Sequence, residues 1–242
     1  MDAMIFAAGL GTRLRPLTDS MPKALIDING RPTIEHVARR LITAGATRLI
    51  INVHHHGSMI EEYIRAHDSF GVEVLFSDES DLLLETGGGL AAAAPLFRRD
   101  APFLLHNADV ISDIDLGALY HQQCERSPLA TLVMMDRPTS RYLVIDREGL
   151  FCGWGNSATG VERLARTPAG ETLRLGFCGI HAIAAEIFDT IEETGVFSII
   201  SLYMRLAEEG HRIETFRADG ASWIDIGSPA QLERARQMLP SP

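Results

Sequence analysis

From the first residue to about residue 136, short apolar runs alternate with stretches in which apolar residues recur every three or four positions. Alternation of a strand period with a helix period is the pattern of repeated βαβ units, and it makes a mostly parallel sheet covered by helices the economical fold. Strands are predicted over 3–8, 48–53, 72–77, 103–106 and 130–135, runs rich in Ile, Val, Leu and Phe as strands buried on both faces must be. Helices are predicted between them over 33–44, 58–67, 88–96 and 116–126. The second half breaks the pattern. Residues 142–145, an Asp146-Arg147-Glu148-Gly149 turn and residues 150–152 predict an antiparallel hairpin, followed by a loop and a strand over about 175–182, hence an antiparallel insertion at the sheet edge. Helices over 184–193, 198–209 and 229–238 and strands over 212–216 and 222–226 complete the chain. No repeat, low-complexity tract or linker interrupts it, so one domain over 1–242 is expected.

Composition narrows the function classes. With 242 residues, 46% hydrophobic and 22% charged, the chain can bury a full core and is not disordered. A net charge of -10 argues against a nucleic-acid partner, so any anionic ligand must be held by a local device. Lys23 is the only lysine among the 22 basic residues. Cys124, Cys152 and Cys178 form neither a disulfide framework nor a zinc motif, and they read as small core residues of a protein in a reducing compartment. An acidic second residue and the lack of a long apolar window predict a cytoplasmic protein with no membrane partner.

The chemistry begins directly after the first strand, in Ala8-Gly9-Leu10-Gly11-Thr12-Arg13-Leu14-Arg15-Pro16-Leu17-Thr18, with Pro22-Lys23 downstream. Two glycines let the backbone turn its N–H groups onto phosphate oxygens, Thr12 adds a hydroxyl, and Arg13 and Lys23 supply positive charge. Leu at position 14 removes the Rossmann dinucleotide fingerprint, and no Walker sequence is present. Glu85-Thr86-Gly87-Gly88-Gly89 stands at a strand-to-helix junction, where three glycines start a helix poorly and let something approach the backbone. Asp109 lies just past a predicted buried strand, where open α/β sheets bind ligands, and Asp225 lies in Trp223-Ile224-Asp225-Ile226-Gly227 before the last helix. Such hard carboxylates suit Mg²⁺. His54-His55-His56 reads as a strand end rather than a metal site, and Asp113 and Asp115 as residues at a helix N-terminus.

The 9–18 segment and Pro22-Lys23 resemble the signature of the sugar-1-phosphate nucleotidyltransferases, and the resemblance spans nearly the whole chain. It implies a Rossmann-like, three-layer α/β fold with a mostly parallel sheet, of the nucleotide-diphospho-sugar transferase type, with the small antiparallel insertion. It places a nucleotide-binding part over about 1–136, a sugar-binding part over about 137–227 and a terminal helix over 229–238. It implies catalysis by Arg13, on the leaving β- and γ-phosphates, and Lys23, on the α-phosphate. Nucleotide contacts from Ala8, Gly9, Gly11, Thr12, Glu85, Thr86, Gly87 and Gly88 and Mg²⁺ on Asp109 and Asp225 follow from it. The partners are a nucleoside triphosphate and a sugar 1-phosphate, in a monomer or small homo-oligomer. Many relatives grip the acceptor phosphate with a Glu-Lys pair, and this chain has no lysine in its second half. Asn107, Arg141, Asn156, Glu162 and Gly179 are the alternatives there. The Leu-Glu-Thr-Gly-Gly-Gly form is similar to uridylyltransferases that act on N-acetylmuramate 1-phosphate, which implies UTP and that sugar in cell-wall recycling. A mannose- or heptose-1-phosphate guanylyltransferase, a phosphocholine cytidylyltransferase and a catalytically silent nucleotide sensor stand as alternatives.

Overall fold

The computed structural model describes residues 1–239. In chain order the elements are β1 (Asp2–Phe6), β2 (Asp27–Ile28), β3 (Arg31–Pro32), α1 (Thr33–Thr43), β4 (Arg48–Val53), α2 (Gly57–Ala66), β5 (Glu73–Asp78) and α3 (Glu85–Ala93). There follow β6 (Phe103–Asn107), β7 (Val110–Ser112), α4 (Leu116–Arg126), β8 (Ala130–Met135), β9 (Arg141–Asp146), β10 (Phe151–Asn156), β11 (Val161–Leu164) and β12 (Thr172–Ile183). The last are α5 (Ile187–Thr190), α6 (Ile199–Glu208), β13 (Ile213–Arg217), β14 (Trp223–Asp225) and α7 (Pro229–Met238).

The main sheet runs β11-β10-β9-β12-β6-β1-β4-β5, with β8 on β12 and β13 on β8. The pairs around β1 are parallel, as is β8 with β13, while β12 runs antiparallel to β6, β8 and β9. Side-chain alternation along the strands splits the apolar residues between two cores. Ala3, Ile5, Leu49 and Ile51 pack with Val37, Leu41, Ile60, Ile64 and Leu119 of α1, α2 and α4. Met4, Ile50 and Leu105 face the other way, onto Leu90, Leu202, Tyr203 and Leu206 of α3 and α6. These two cores are the helix–sheet interfaces of a three-layer α/β fold, so the expected class holds, including the antiparallel part built from β9 to β12. A third, smaller core joins Leu14, Ile26 and Ile28 to Ile111, Ile224, Ile226, Leu232 and Ala235. It packs the segment after the glycine turn against β7, β14 and α7.

Several local expectations are corrected. The helix expected over 88–96 begins at Glu85 and contains all three glycines. The one expected over 184–193 shrinks to the four residues of α5. The loop expected after residue 152 is largely strand, because β10 runs on to Asn156, β11 adds an edge and β12 starts at Thr172. Asp146 organises this meander: its side chain accepts from the N–H groups of Glu148, Leu150 and Ala169 at 3.0, 3.0 and 3.1 Å. Cys152 and Cys178 are buried as expected, whereas Cys124 is exposed on α4. No helix among the described residues is long and apolar enough to cross a membrane.

Candidate active site

The C-terminal ends of β1, β4, β5 and β6 open into a cleft of about 420 Å³. Residues 6–14 form one wall, Leu83, Glu85 and Thr86 another, and Lys23, Asn107, Ala108, Asp109 and Gly227 close the end. The structure thus brings Ala8, Gly9, Gly11, Thr12, Arg13, Lys23, Glu85, Thr86, Asn107 and Asp109 together, residues up to 101 positions apart in sequence (109 − 8).

The turn after β1 depends on glycine. Gly11 sits at φ +63, and a Cβ there would lie 2.9 Å from Thr18 Cγ2 and 3.0 Å from Lys23 Cβ, so only glycine fits. Its carbonyl accepts from Thr18 Oγ1 at 2.9 Å and from the N–H of Leu14 at 2.9 Å, which starts a single helical turn at Thr12. None of the N–H groups of Gly9, Leu10 and Gly11 donates to a backbone carbonyl among the described residues. Three successive unspent donors are what an anion-binding concavity of backbone N–H groups is built from. Arg13 lies over Gly227, where an added Cβ would be 2.9 Å from its Nη2, and it forms no ion pair among the described residues. Here a guanidinium is held beside the unspent donors with its charge available.

Lys23 Nζ forms an ion pair with Asp109 Oδ2, the two side chains being 13% and 27% exposed. Asp225 stands next to this pair through backbone pairing. Antiparallel β14 sets Asp225 opposite Val110, and the N–H of Ile226 donates to Asp109 O at 2.8 Å. The Asp225 side chain does not line the cleft; its Oδ1 accepts from Gln231 Nε2 at 2.5 Å. Among the described residues no three His, Cys, Asp or Glu side chains gather into a self-sufficient metal site. Asp109 and Asp225, adjacent through their backbones with Asp109 alone lining the cleft, are nevertheless the donor type of Mg²⁺, which takes one or two carboxylates and fills its shell with substrate phosphates and water.

The base-side loop departs from expectation in an informative way. Gly87 and Gly88 do not line the cleft: both N–H groups donate to Phe197 O, at 2.9 and 3.1 Å. A Cβ on Gly87 would collide with the Phe197 ring, and one on Gly88 would collide with Gly195 O. What approaches these glycines is the segment leading into α6. Thr86 Oγ1 caps that helix by accepting from the N–H of Ile199 at 2.9 Å. Glu85 is left exposed at the cleft at φ +59, a conformation uncommon for a residue with a side chain.

On the acceptor side, Gly179 (φ +70) is pressed against Asn107, its added Cβ falling 2.5 Å from Asn107 Nδ2. Arg141, Asn156 and Glu162 do not line the cleft. Arg141 and Asn156 are register partners on β9 and β10, and Glu162 Oε2 accepts from Tyr142 O–H at 2.8 Å and Arg174 Nε at 3.0 Å in a separate open depression. Burdened with these partners and itself anionic, Glu162 is a poor grip for a phosphate. Arg137, which the sequence did not single out, lines that same depression and not the cleft. Its guanidinium stacks 4.0 Å from the Trp223 ring centroid, Nη2 donates to Phe177 O at 2.8 Å, and it pairs with no carboxylate among the described residues. Trp223 Nε1 in turn donates to Cys178 O, beside Gly179, at 2.9 Å. Asn52 and Glu79 were missed as well; both line the cleft, and both are 3% exposed. The expected bland roles hold elsewhere: His54 Nδ1 bonds Glu79 O at 2.7 Å, and Asp115 caps α4 through Ala118 N–H at 2.9 Å. Asp113 differs, accepting from the N–H of Ser222 at 2.8 Å and so anchoring the start of β14.

A three-layer α/β sheet, a glycine turn with unspent N–H donors and a lysine–aspartate pair meet at one strand-end cleft, an arrangement suited to the phosphates of a nucleotide. The Nucleotidyl transferase family matches residues 2–241. The chain belongs to that family. It is 33% identical over 232 residues to an N-acetylmuramate alpha-1-phosphate uridylyltransferase of Caulobacter vibrioides, covering 94% of this chain and 92% of the relative. It is 27% identical to a mannose-1-phosphate guanyltransferase of Schizosaccharomyces pombe, covering 95% of this chain and 61% of that protein. A UDP-glucose pyrophosphorylase of Acinetobacter baumannii superimposes with a TM-score of 0.80 at 20% identity, over 98% of this chain and 92% of that one, which extends the agreement to the fold. This member of the nucleotidyl transferase family is a sugar-1-phosphate nucleotidyltransferase.

Proposed function

We propose that the chain transfers the uridylyl group of UTP to N-acetylmuramate 1-phosphate, in the presence of Mg²⁺, and releases pyrophosphate. The observation that carries this reading is the joint placement of the glycine turn, Arg13, Lys23 and Asp109 around one cleft, in a chain most of whose length aligns with a uridylyltransferase for that sugar. An oxygen of the acceptor phosphate attacks the α-phosphorus of UTP, the bond from that phosphorus to the bridging oxygen breaks, and pyrophosphate departs. The unspent N–H groups of residues 9–11 and the Arg13 guanidinium hold the β- and γ-phosphates, where charge accumulates as the bond breaks. Lys23 exchanges Asp109 for the α-phosphate, keeping its ammonium on the reacting group and freeing a carboxylate oxygen. Asp109 and Asp225 would hold Mg²⁺, which supplies charge cancellation on the phosphates. Glu85, Thr86 and Leu83 face the base and ribose.

The acceptor carries a phosphate and a lactyl carboxylate, two anions in one molecule. Arg137, in the open depression outside the cleft, stacked and unpaired with any carboxylate among the described residues, is the cation offered to this acceptor where the second half lacks lysine. Guanidinium suits planar carboxylate and phosphate recognition better than ammonium does. Pyrophosphate release measured over the four common nucleoside triphosphates and a panel of sugar 1-phosphates tests the reading. UTP with N-acetylmuramate 1-phosphate is expected to give the highest kcat/KM. Preference for GTP with mannose or heptose 1-phosphate moves the assignment to a guanylyltransferase, CTP with phosphocholine moves it to a cytidylyltransferase, and no release from any pair removes the enzyme reading.

A further inference from the structure

A buried polar chain runs under the floor of the cleft and joins its two walls. The N–H of Ala7, at the start of the glycine turn, donates to Asn52 Oδ1 at 2.8 Å. Asn52 Nδ2 donates to Glu79 Oε1 at 2.6 Å, and Glu79 Oε2 accepts from the N–H of Leu84, at the start of the base-side loop, at 3.0 Å. Parallel pairing of β4 with β5 brings Asn52 and Glu79 together across a gap of 27 residues. Gly89 leaves the space for them, since a Cβ there would stand 2.6 Å from Glu79 Oε1 and 2.9 Å from Asn52 Nδ2. Glu79 is a buried carboxylate with no cationic partner among the described residues, and the transfer chemistry above gives it no role.

We propose that the Asn52–Glu79 pair is a positioning brace that sets the separation of the phosphate turn and the base-side loop, and so determines how tightly the nucleoside triphosphate is held. This rests on the nucleotidyl-transfer reading of the same cleft. The direction of the bonds makes the brace testable. The two terminal groups, Ala7 N–H and Leu84 N–H, can only donate, so the chain needs an unequal pair inside: one amide and one carboxylate. With Glu79→Gln the interior holds two amides, and in either orientation of the pair one donor faces another. With Asn52→Asp it holds two carboxylates, and two acceptors face each other. Exchanging the two, Asn52→Asp with Glu79→Gln, restores every bond. The carboxylate now at position 52 accepts from Ala7 N–H and from the amide now at position 79, and the carbonyl of that amide accepts from Leu84 N–H. The exchange also leaves the net charge as it was.

Wild type, E79Q, N52D and the N52D/E79Q exchange are compared by the Kd for UTP from titration calorimetry, by the KM values for both substrates and by thermal unfolding. Loss of one buried bond, with two donors left facing each other in E79Q and two acceptors in N52D, predicts a rise of about tenfold or more in UTP Kd and KM for each single variant. The sugar 1-phosphate KM should stay within about twofold, and the exchange should return UTP binding to within about threefold of wild type. A folded E79Q with wild-type UTP affinity, or a folded exchange variant no better than the weaker single variant, overturns the brace. If a single variant fails to fold, the exchange variant decides alone: folded with wild-type affinity it supports the brace, and folded with affinity still about tenfold weaker it overturns it. Failure of the proposed reaction shows itself differently, as wild type that binds UTP and releases no pyrophosphate. The calorimetric comparison still reads the brace in that case, and a wild type that binds no nucleotide removes both.

Discussion

Lys23 carries the sharpest demand at the scale of single residues. Its side chain is 13% exposed, its Cβ lies beside the space where Gly11 lacks a side chain, and its head meets Asp109. A compact point charge fits there, whereas a planar fork of five donors needs more room and a different set of acceptors. Lys23→Arg is therefore expected to lower kcat by about 100-fold or more, the scale found when one electrostatic contact to a transition state is lost, in a chain that still melts in one cooperative transition. Pyrophosphate release and a melting curve on the same preparation check it; near-normal turnover would remove Lys23 from the chemistry. The residues of this kind were legible in the sequence because their signal is local. Gly9, Gly11, Thr12 and Arg13 lie within five consecutive positions after one strand. Asn52 and Glu79 were not, because Asn52 reads as one polar residue in an apolar strand and Glu79 as part of a solvated Ser-Asp-Glu-Ser turn. Only strand pairing gives them a common purpose.

At the scale of elements, α3 and α6 touch through glycine. The sequence shows that Gly87, Gly88 and Gly89 admit something close, and the resemblance points to the nucleotide for the first two, whose actual partner lies more than a hundred residues away and is invisible to a local reading. The structure supplies Gly195 and Phe197 for the first two and the Asn52–Glu79 pair for the third. Gly88→Ala would gain about 1 kcal/mol of helix propensity and lose about 1–3 kcal/mol to overpacking, because backbone carbonyl Gly195 O cannot swing aside as a side-chain tip can. Net destabilisation is expected, with a raised KM for the nucleotide because Glu85 and Thr86 ride on the same turn. Urea unfolding with kinetics on the same variant measures both; a stabilised variant with unaltered KM would contradict this packing. The antiparallel meander was only half legible for a related reason. Asp146 gathers three N–H groups from two loops, and the third donor, Ala169, is invisible to a reading of the local turn.

For the whole molecule, acid sensitivity follows from two buried histidines of the central sheet, His106 on β6 and His181 on β12. Burial, with a smaller repulsion from Arg40, pushes His106 down to about 4, and burial with repulsion from His106 pushes His181 down to about 3. Both are neutral in the native state at neutral pH, and unfolding restores an ordinary value near 6.5. The unfolded chain then binds protons that the native chain refuses, so stability is fully present above about pH 6.5 and is lost as the pH falls towards about 4. The slope is on the order of 1 kcal/mol per pH unit for each histidine, levelling off once the native state itself takes up protons. Urea midpoints measured from about pH 7.5 down to about pH 4.5 should fall accordingly; a flat profile would mean that one of these sites admits water. Three-layer topology was readable from the alternation of periods, whereas the route of β12 was not. Its register shift between Phe177 and His181, where Gly179 takes φ +70, lets one strand serve β9 with its first part and β6 and β8 with its second, and a lone glycine does not announce which strands it will separate.

The small core under the glycine turn ties distant stretches of the chain into one unit. Leu14 and Ile26 find part of their floor in Ile224, Ile226, Leu232 and Ala235. No side chain of α7 enters the cleft, yet a loosened α7 would be felt at its mouth, because the turn that forms one wall leans on that helix.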